Sequence, residues 1–540
     1  MRKKGWSIAL LLILLVSSVL YGCGSESSSG DSEGGSDSGS DDPKVLIFGR
    51  GGDSVALDPI TVTDGESFKV TKNIFETLVN FGQQDTEVNP GLAEEWEVSE
   101  DGLTYTFNLR QGVKFQDGTD FNADAVVKNF DRWMNGSDDK FPYYASMFGG
   151  FKGEEGHVIK EVKAVDESTV EITLKRPQAP FLKNLAMSPF GIASPKAIDE
   201  LGDKLGETPT GAGTGPFKFV EWKRNDKVVL EKNEDYWQDG LPKLDQVIFK
   251  SIPENSARLN ALISGEIDLA DGIAPTDAAQ VESTDGIQIF ERPSMNVGYL
   301  GLTSTREPFD DPKVRQAVNY AVDKQAIVDA FFEGRAEVAK NPMPPVIAGY
   351  NDEIEGYEFD PEKAKELLAE AGLEDGFEME LWAMPVPRPY MPDGQKVAEA
   401  IQSNLADVGI KAEIVSYEWA TYLEKAKNGE ADAFLLGWTG DNGDADNFLY
   451  VLLDEDNIGS NNYSYYSNDK VHDLLIEAQT EVDEEKRKEL YKEAQAIIHE
   501  DAPWVPLAHS TPLLAGKSNI KNFFPHPTGS DLLSGVDIEQ

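Results

Sequence analysis

Ala433-Phe434-Leu435-Leu436-Gly437-Trp438-Thr439-Gly440-Asp441-Asn442-Gly443-Asp444-Ala445-Asp446-Asn447 passes without a break from an apolar run into the densest polar cluster of the chain. The apolar half reads as a buried strand. The polar half reads as a turn rich in Gly and Asp. Immediately before it, Gln395 to Val408 has helical spacing and Lys411 to Val415 looks like a strand. The spacing of these pieces predicts a βαβ-type layer between about Met379 and Trp438. Ligands of open α/β sheets sit beyond the carboxyl ends of the strands, and glycines there allow close backbone approach. Asp441 is thereby placed to meet a cationic group in a cleft, although on pattern alone such a segment is more often only a turn. A calcium loop fits poorly: counting from Asp444, the third position is Asp446 but the fifth is Phe448.

Outward from this stretch, the C-terminal half is helical. Asp311 reads as an N-cap with Pro312 at the first helical position, followed by Val314, Ala317, Val318, Ala321 and Val322. Pro361 opens a helix ending near Gly372, and Glu484 to Ile498 is another. The N-terminal half is richer in strand: Val45 to Phe48, Thr104 to Leu109, Val162 to Lys175 with a turn near Asp166-Glu167, and Gln246 to Phe249. This irregular alternation gives an α/β or α+β class. The last segment, Asn519 to Gln540, has little helical character and is expected to return to the first lobe.

The only cysteine is Cys23. Met1 to Lys4 is basic and Ile8 to Leu20 almost wholly apolar, the pattern of an export signal and too short to span a bilayer comfortably. Leu20-Tyr21-Gly22-Cys23 resembles a bacterial lipobox, in which the cysteine is lipidated; the plainer reading is an ordinary signal peptide. Gly24 to Asp42 has almost nothing to bury and reads as a flexible linker. The folded body begins near Val45, and its roughly 500 residues suit two or three domains. A single cysteine excludes a disulfide framework or cysteine-based zinc site. A formal charge of -47 argues against nucleic acid as a partner; the spread of acids reads as a solubilising surface rather than a cation store.

Leu381 to Tyr390 is the second unusual segment. Prolines stiffen it and remove donors, so Arg388 is pre-organised to grip a carboxylate bidentately, against the plainer reading of a surface arginine. Other motifs fail. Gly211 to Pro216 lacks the Gly-Lys-Ser/Thr ending of a phosphate loop. His499 and His509 bracket Asp501 without metal-ligand spacing. Gly30 to Gly34 fits G-x-S-x-G inside the linker, and Ser467 with Lys470, like Ser518 with Lys521, lacks the partners of S-x-x-K enzymes. No pair of carboxylates stands out as catalytic. No catalytic set, cofactor or metal site is expected.

Pro90 to Gly112, Gly213-Thr214-Gly215-Pro216-Phe217, Asn233 to Trp237, Lys340 to Pro345, Ala502-Pro503-Trp504 and Ala508-His509-Ser510 together resemble the family 5 extracellular solute-binding proteins of ABC importers. The likeness covers Val45 to Gln540. Leu381 to Tyr390, Tyr417-Glu418-Trp419 and Gly437 to Asn447 are similar to its dipeptide-binding members in particular.

The resemblance implies an α/β, two-lobed periplasmic-binding-protein-like fold, with an extra domain in the first lobe and a hinged ligand cleft. Implied boundaries are a signal peptide at 1–22, a linker at 23–44, lobe I at 45–80, 216–302 and 509–540, the extra domain at 81–215, and lobe II at 303–508. Hinges are expected near Val297 to Thr303 and Trp504 to Ser510. It also implies Asp441 for a peptide α-amino group, Arg388 for the carboxylate and Trp419 as pocket wall. Thr63, Asp64 and Gly65 would offer backbone contacts, with Pro389, Tyr390, Trp438, Thr439 and Gly440 beside them. Asp64 departs from the small neutral residue expected there, and Gly49 to Ala56 is also atypical. Partners would be a short peptide and the permease and ATPase subunits of an importer, for a monomer held by lipid on Cys23 at the outer face of the cytoplasmic membrane. Other ligands in such a family are glutathione, haem and nickel chelates. A secreted carboxylate hydrolase is the remote alternative.

Overall fold

The structure is a computed structural model and describes residues 42–539. The apolar leader, Cys23 and the linker up to residue 41 lie outside the described residues. The first strand starts at Val45.

Three sheets carry the fold. Val45–Arg50 lies inside a seven-stranded sheet, parallel to Gln246–Ser251 and Leu269–Ile273. Its Leu46 and Phe48 are wholly buried against Val247, Phe249 and Leu269. A four-stranded antiparallel sheet holds Ala93–Val98, Thr104–Leu109, Thr169–Leu174 and Ile159–Asp166. Thr104–Leu109 and Thr169–Leu174 alternate half-buried and buried residues, as one-sided sheets do. The buried face joins a core with Phe130, Trp133 and Phe148.

The six-stranded sheet contains the predicted βαβ layer. Glu378–Trp382 runs parallel to Lys411–Val415, with the helix Gly394–Asp407 between them in sequence, and parallel to Ala433–Thr439. Ala433 to Gly437 is buried throughout, which explains the unbroken apolar run: a strand covered on both faces has no polar side to alternate. The helix starts follow the capping chemistry. Asp311, Asp360, Asp393 and Asp483 each accept a backbone N–H of the first turn with their side chains.

The two segments named for the hinge are strands. Asn296–Leu302 and Trp504–Ser510 are neighbouring strands of the six-stranded sheet, paired antiparallel and buried at every residue. Boundaries at 302 and 509 therefore fall inside this sheet. The connections beside them are residues 292–295 and 511–512, between the strand ends Glu291, Asn296, Ser510 and Leu513, and the Arg292 N–H donates to the Pro512 carbonyl between them at 2.9 Å.

The tail returns to the first sheet as expected. Phe523, Leu533 and Val536 pack with Leu46 and Phe48. Arg292, buried at the first crossing, donates to both oxygens of Asp531 at 2.8 and 3.0 Å.

Gly213 to Phe217 proves structural. The Gly215 N–H donates to the Ile74 carbonyl at 2.9 Å, and a Cβ on Gly213 would lie 1.8 Å from that oxygen. Thr214, Tyr236 and Trp237 all donate to the buried Glu76 carboxylate. Among the described residues no helix is long and apolar enough to cross a membrane.

Candidate functional site

Asp441 follows the end of Ala433–Thr439, at the carboxyl side of the sheet. The Gly440 N–H donates to the Met295 carbonyl at 2.8 Å, which fixes the turn. Asn447 then works as a clamp. Its Oδ1 accepts from Trp438 Nε1 and from the Asp441 backbone, each at 3.0 Å, and its Nδ2 donates to Asp441 Oδ2 at 3.2 Å. The other oxygen, Oδ1, accepts from the Tyr143 hydroxyl at 2.9 Å. Burial pushes this carboxyl up to about 6, against the pull of those two hydrogen bonds. Among the described residues it forms no ion pair.

The rest of the turn is clasped by the helix Phe181–Ala186. Lys183 Nζ donates to the Gly443 carbonyl at 2.7 Å and Asn442 Nδ2 to Asn184 Oδ1 at 2.8 Å. Asp444 is held by Arg487 at 2.6 and 2.8 Å, and Asp446 accepts from Gln479 at 2.9 Å. These acids serve the turn itself.

Arg388 lies on a tight turn closed by reciprocal backbone bonds with Met391 at 3.0 and 2.9 Å. Its side chain is exposed, and the guanidinium sits 5.3 Å from the centroid of the Trp419 ring. Trp419 stacks on Tyr422, whose hydroxyl donates to Leu435 in the strand that leads to Asp441. Pro389 is exposed and Tyr390 is buried. Tyr390 rests on a pair of glycines facing each other across two strands, Gly298 and Gly437. A Cβ on Gly298 would lie 2.3 Å from the Tyr390 carbonyl, and one on Gly437 would lie 2.2 Å from its ring. Gly437→Ala is therefore expected to lift Tyr390 and loosen the arginine turn, at about 1–3 kcal/mol of overpacking. Hydrogen exchange at the Met391 amide reads this; exchange as slow as in the parent would refute it.

Two groups thus emerge: Trp438, Thr439, Gly440 and Asp441 in one strip, and Arg388, Tyr390 and Trp419 in another. Thr63 is exposed, and Asp64 caps the helix Gly65–Thr71 through Ser67 N at 2.8 Å and Ser67 Oγ at 2.7 Å. The atypical Asp64 is thus accounted for as a helix cap. From that helix, Phe68 packs on the Tyr143 ring at 5.9 Å. A cavity of about 530 Å³ is bounded by Phe68, Lys72, Asn80, Tyr143, Asp441 and His526, with other residues. Arg388 and Trp419 are not among its walls. Sequence reading missed Tyr143, Lys72 and the tail residues: each is an ordinary residue locally, and only the fold brings them to Asp441.

The family described as bacterial extracellular solute-binding proteins, family 5 Middle, matches residues 87–460. The dipeptide-binding protein of Escherichia coli K12 is 41% identical over 514 residues, covering 92% of this chain and 95% of that protein. The heme-binding protein A of Haemophilus influenzae is 38% identical over 549 residues, covering 98% and 99%. The solved periplasmic binding protein DppA of Helicobacter pylori, in complex with the peptide STSA, superposes with a TM-score of 0.80 at 37% identity, covering 92% of this chain and 98% of that one. These relatives are binding proteins of transporters, not enzymes. With this fold and these likenesses, the chain belongs to family 5 of the bacterial extracellular solute-binding proteins of ABC importers, and stands close to its dipeptide-binding members.

Proposed function

We propose that this protein, anchored by lipid on Cys23 at the outer face of the membrane, captures dipeptides or short peptides as a monomer. It delivers them to the permease and ATPase subunits of its importer. The observation that carries the reading is Asp441: a carboxylate at the end of a buried strand, hydrogen-bonded by neutral groups and without a cation of its own among the described residues. A peptide ammonium supplies that cation. Arg388, stacked on Trp419 and seated by Tyr390, supplies the charge for the peptide carboxylate. Pro389, Trp438, Thr439 and Gly440 line the path between, and Thr63, Asp64 and Gly65 border it. Closure about residues 292–295 and 511–512 brings the two charges to bear on one ligand.

Two fixed opposite charges measure ligand length, because a buried charge left unpaired is costly. Calorimetric titration of protein stripped of carried-over ligand tests this. Ala-Ala is expected to bind, and its N-acetylated and C-amidated forms to bind weaker by roughly a hundred-fold or more. Equal binding of all forms would overturn the reading. Failure of every peptide, with a haem or nickel absorbance band in the purified protein, would move the ligand to those chelates.

A further inference from the structure

A line of contacts joins the body built on the four-stranded sheet to the body built on the six-stranded sheet. On one side stands the helix Phe181–Ala186, whose Phe181 and Leu185 share a core with Phe107 and Ile172. On the other stands the turn that carries Asp441, whose Ala445 and Phe448 share a core with Leu381 and Leu435. Lys183 Nζ donates to the Gly443 carbonyl at 2.7 Å, with Asp444 behind it at 4.0 Å. Asn442 Nδ2 donates to Asn184 Oδ1 at 2.8 Å, and both side chains are buried. Farther along, the Ala179 N–H donates to the Gln479 carbonyl at 2.8 Å. Hydrogen bonds from an ammonium are among the stronger ones, and partly buried charges are weakly screened.

Gly443 lets the turn come this close. Its φ is +66°, and it faces Thr86 in the connection between Val79–Phe81 and Val88–Pro90. Val79 belongs to the core of the four-stranded sheet. A Cβ on Gly443 would lie 1.8 Å from Thr86 Oγ1 and 2.4 Å from Thr86 Cβ. A side chain there would wedge the two bodies apart. Lys183, Asn184, Ala179 and Thr86 are not walls of the cavity beside Asp441, and none is assigned to the peptide above.

We propose that this seam is the latch of the closed state, with Lys183 as its main fastening. Groups that never touch the ligand then set how long it stays. A ligand leaves only when the seam parts, so its observed dissociation rate scales with the fraction of open protein. This rests on the closure described above and adds its control.

Stopped-flow kinetics with Ala-Ala and hydrogen exchange, both on the full chain, test it. In Lys183→Met, Ala-Ala is expected to leave about ten-fold faster, with association not slowed. The Ala179 amide, which donates across the seam, is expected to exchange about ten-fold faster in the same variant with no ligand added. The Asn184 amide, bonded to Pro180 within its own helix, should keep its rate. Gly443→Ala should also speed dissociation. Adding Thr86→Gly should restore it, because the three atoms nearest that Cβ all belong to the Thr86 side chain. Backbone strain alone, which a positive φ brings to alanine, would give no rescue and would remove Gly443 from the latch. Unchanged dissociation in Lys183→Met, or unchanged exchange at Ala179, overturns the latch, while Ala-Ala binding leaves the peptide reading standing. Faster exchange at Ala179 with no binding of Ala-Ala to the parent keeps the seam and overturns the peptide reading. Lys183→Met decides alone if the Gly443 variant does not fold.

Discussion

Asp441→Asn is expected to abolish tight binding of dipeptides with a free amino group, a loss of about 3–5 kcal/mol, or roughly two to three and a half decades in affinity. The substitution keeps the side chain's shape and removes its charge. The peptide ammonium would then be stripped of water opposite a neutral amide, with Tyr143 and Asn447 able to offer hydrogen bonds but no counter-charge. The pH dependence follows from the raised carboxyl. Free Asp441 protonates as pH falls through about 6, and a protonated acid no longer pairs with an ammonium. Affinity should therefore fall below pH 6, by up to about ten-fold per unit, and level off above it. The Asp441→Asn protein should show no such slope. In the unliganded fold the sign is opposite. A carboxyl raised from its ordinary 3.8 contributes stability at low pH, which is lost as pH rises through about 6. The ligand's positive charge compensates that loss. Equal affinities of the parent and the Asp441→Asn protein for a free dipeptide at pH 7 would remove Asp441 from the site.

Asp531→Asn is expected to destabilise the fold by about 3–5 kcal/mol, the usual result of removing one partner of a buried ion pair. Arg292 and Asp531 are 5% and 1% exposed. Asp531 also accepts from the His526 backbone at 2.8 Å, so it shapes the tail turn as well as pairing a charge. Arg292 lies near Asp271, which is itself paired with Lys69 at 2.5 Å. Against its burial, both partners hold Asp271 well below the usual carboxylate range. Asp531→Asn leaves Arg292 with Asp271 alone, at 3.7 Å and already engaged by Lys69, against its desolvation cost. The denaturant midpoint reads the loss. A double change, Arg292→Met with Asp531→Leu, should recover much of it, because two apolar groups leave no charge unpaired. A midpoint unmoved by Asp531→Asn would show that the pair does not hold the tail. The tail supplies His526, Ser530, Leu532 and Ser534 to the cavity beside Asp441, so a loosened tail should also weaken ligand binding.

Legibility from sequence was uneven. Strands with one-sided or fully buried patterns stood out, as at Thr104–Leu109 and Lys411–Val415, where the expected bounds match those observed. Capped helices were equally plain, because Asp-Pro at 311–312 and 360–361 carries the start signal within two residues. Sheet membership was not legible: Asn296–Leu302 is an apolar run, and run composition says nothing about which sheet it joins.

The chain by itself determined the class of fold, the strand that leads to Asp441, and the proline-stiffened turn that carries Arg388, since each is written in local periodicity or proline placement. Tertiary structure alone decided that Tyr143 donates to Asp441 from almost three hundred residues away, that Tyr390 rests on two opposed glycines, and that Lys72 faces the cavity. Local periodicity encodes which face of an element is buried. It does not encode which distant side chain comes to lie against that face, and those distant contacts set the burial, and so the charge balance, at Asp441 and Lys72.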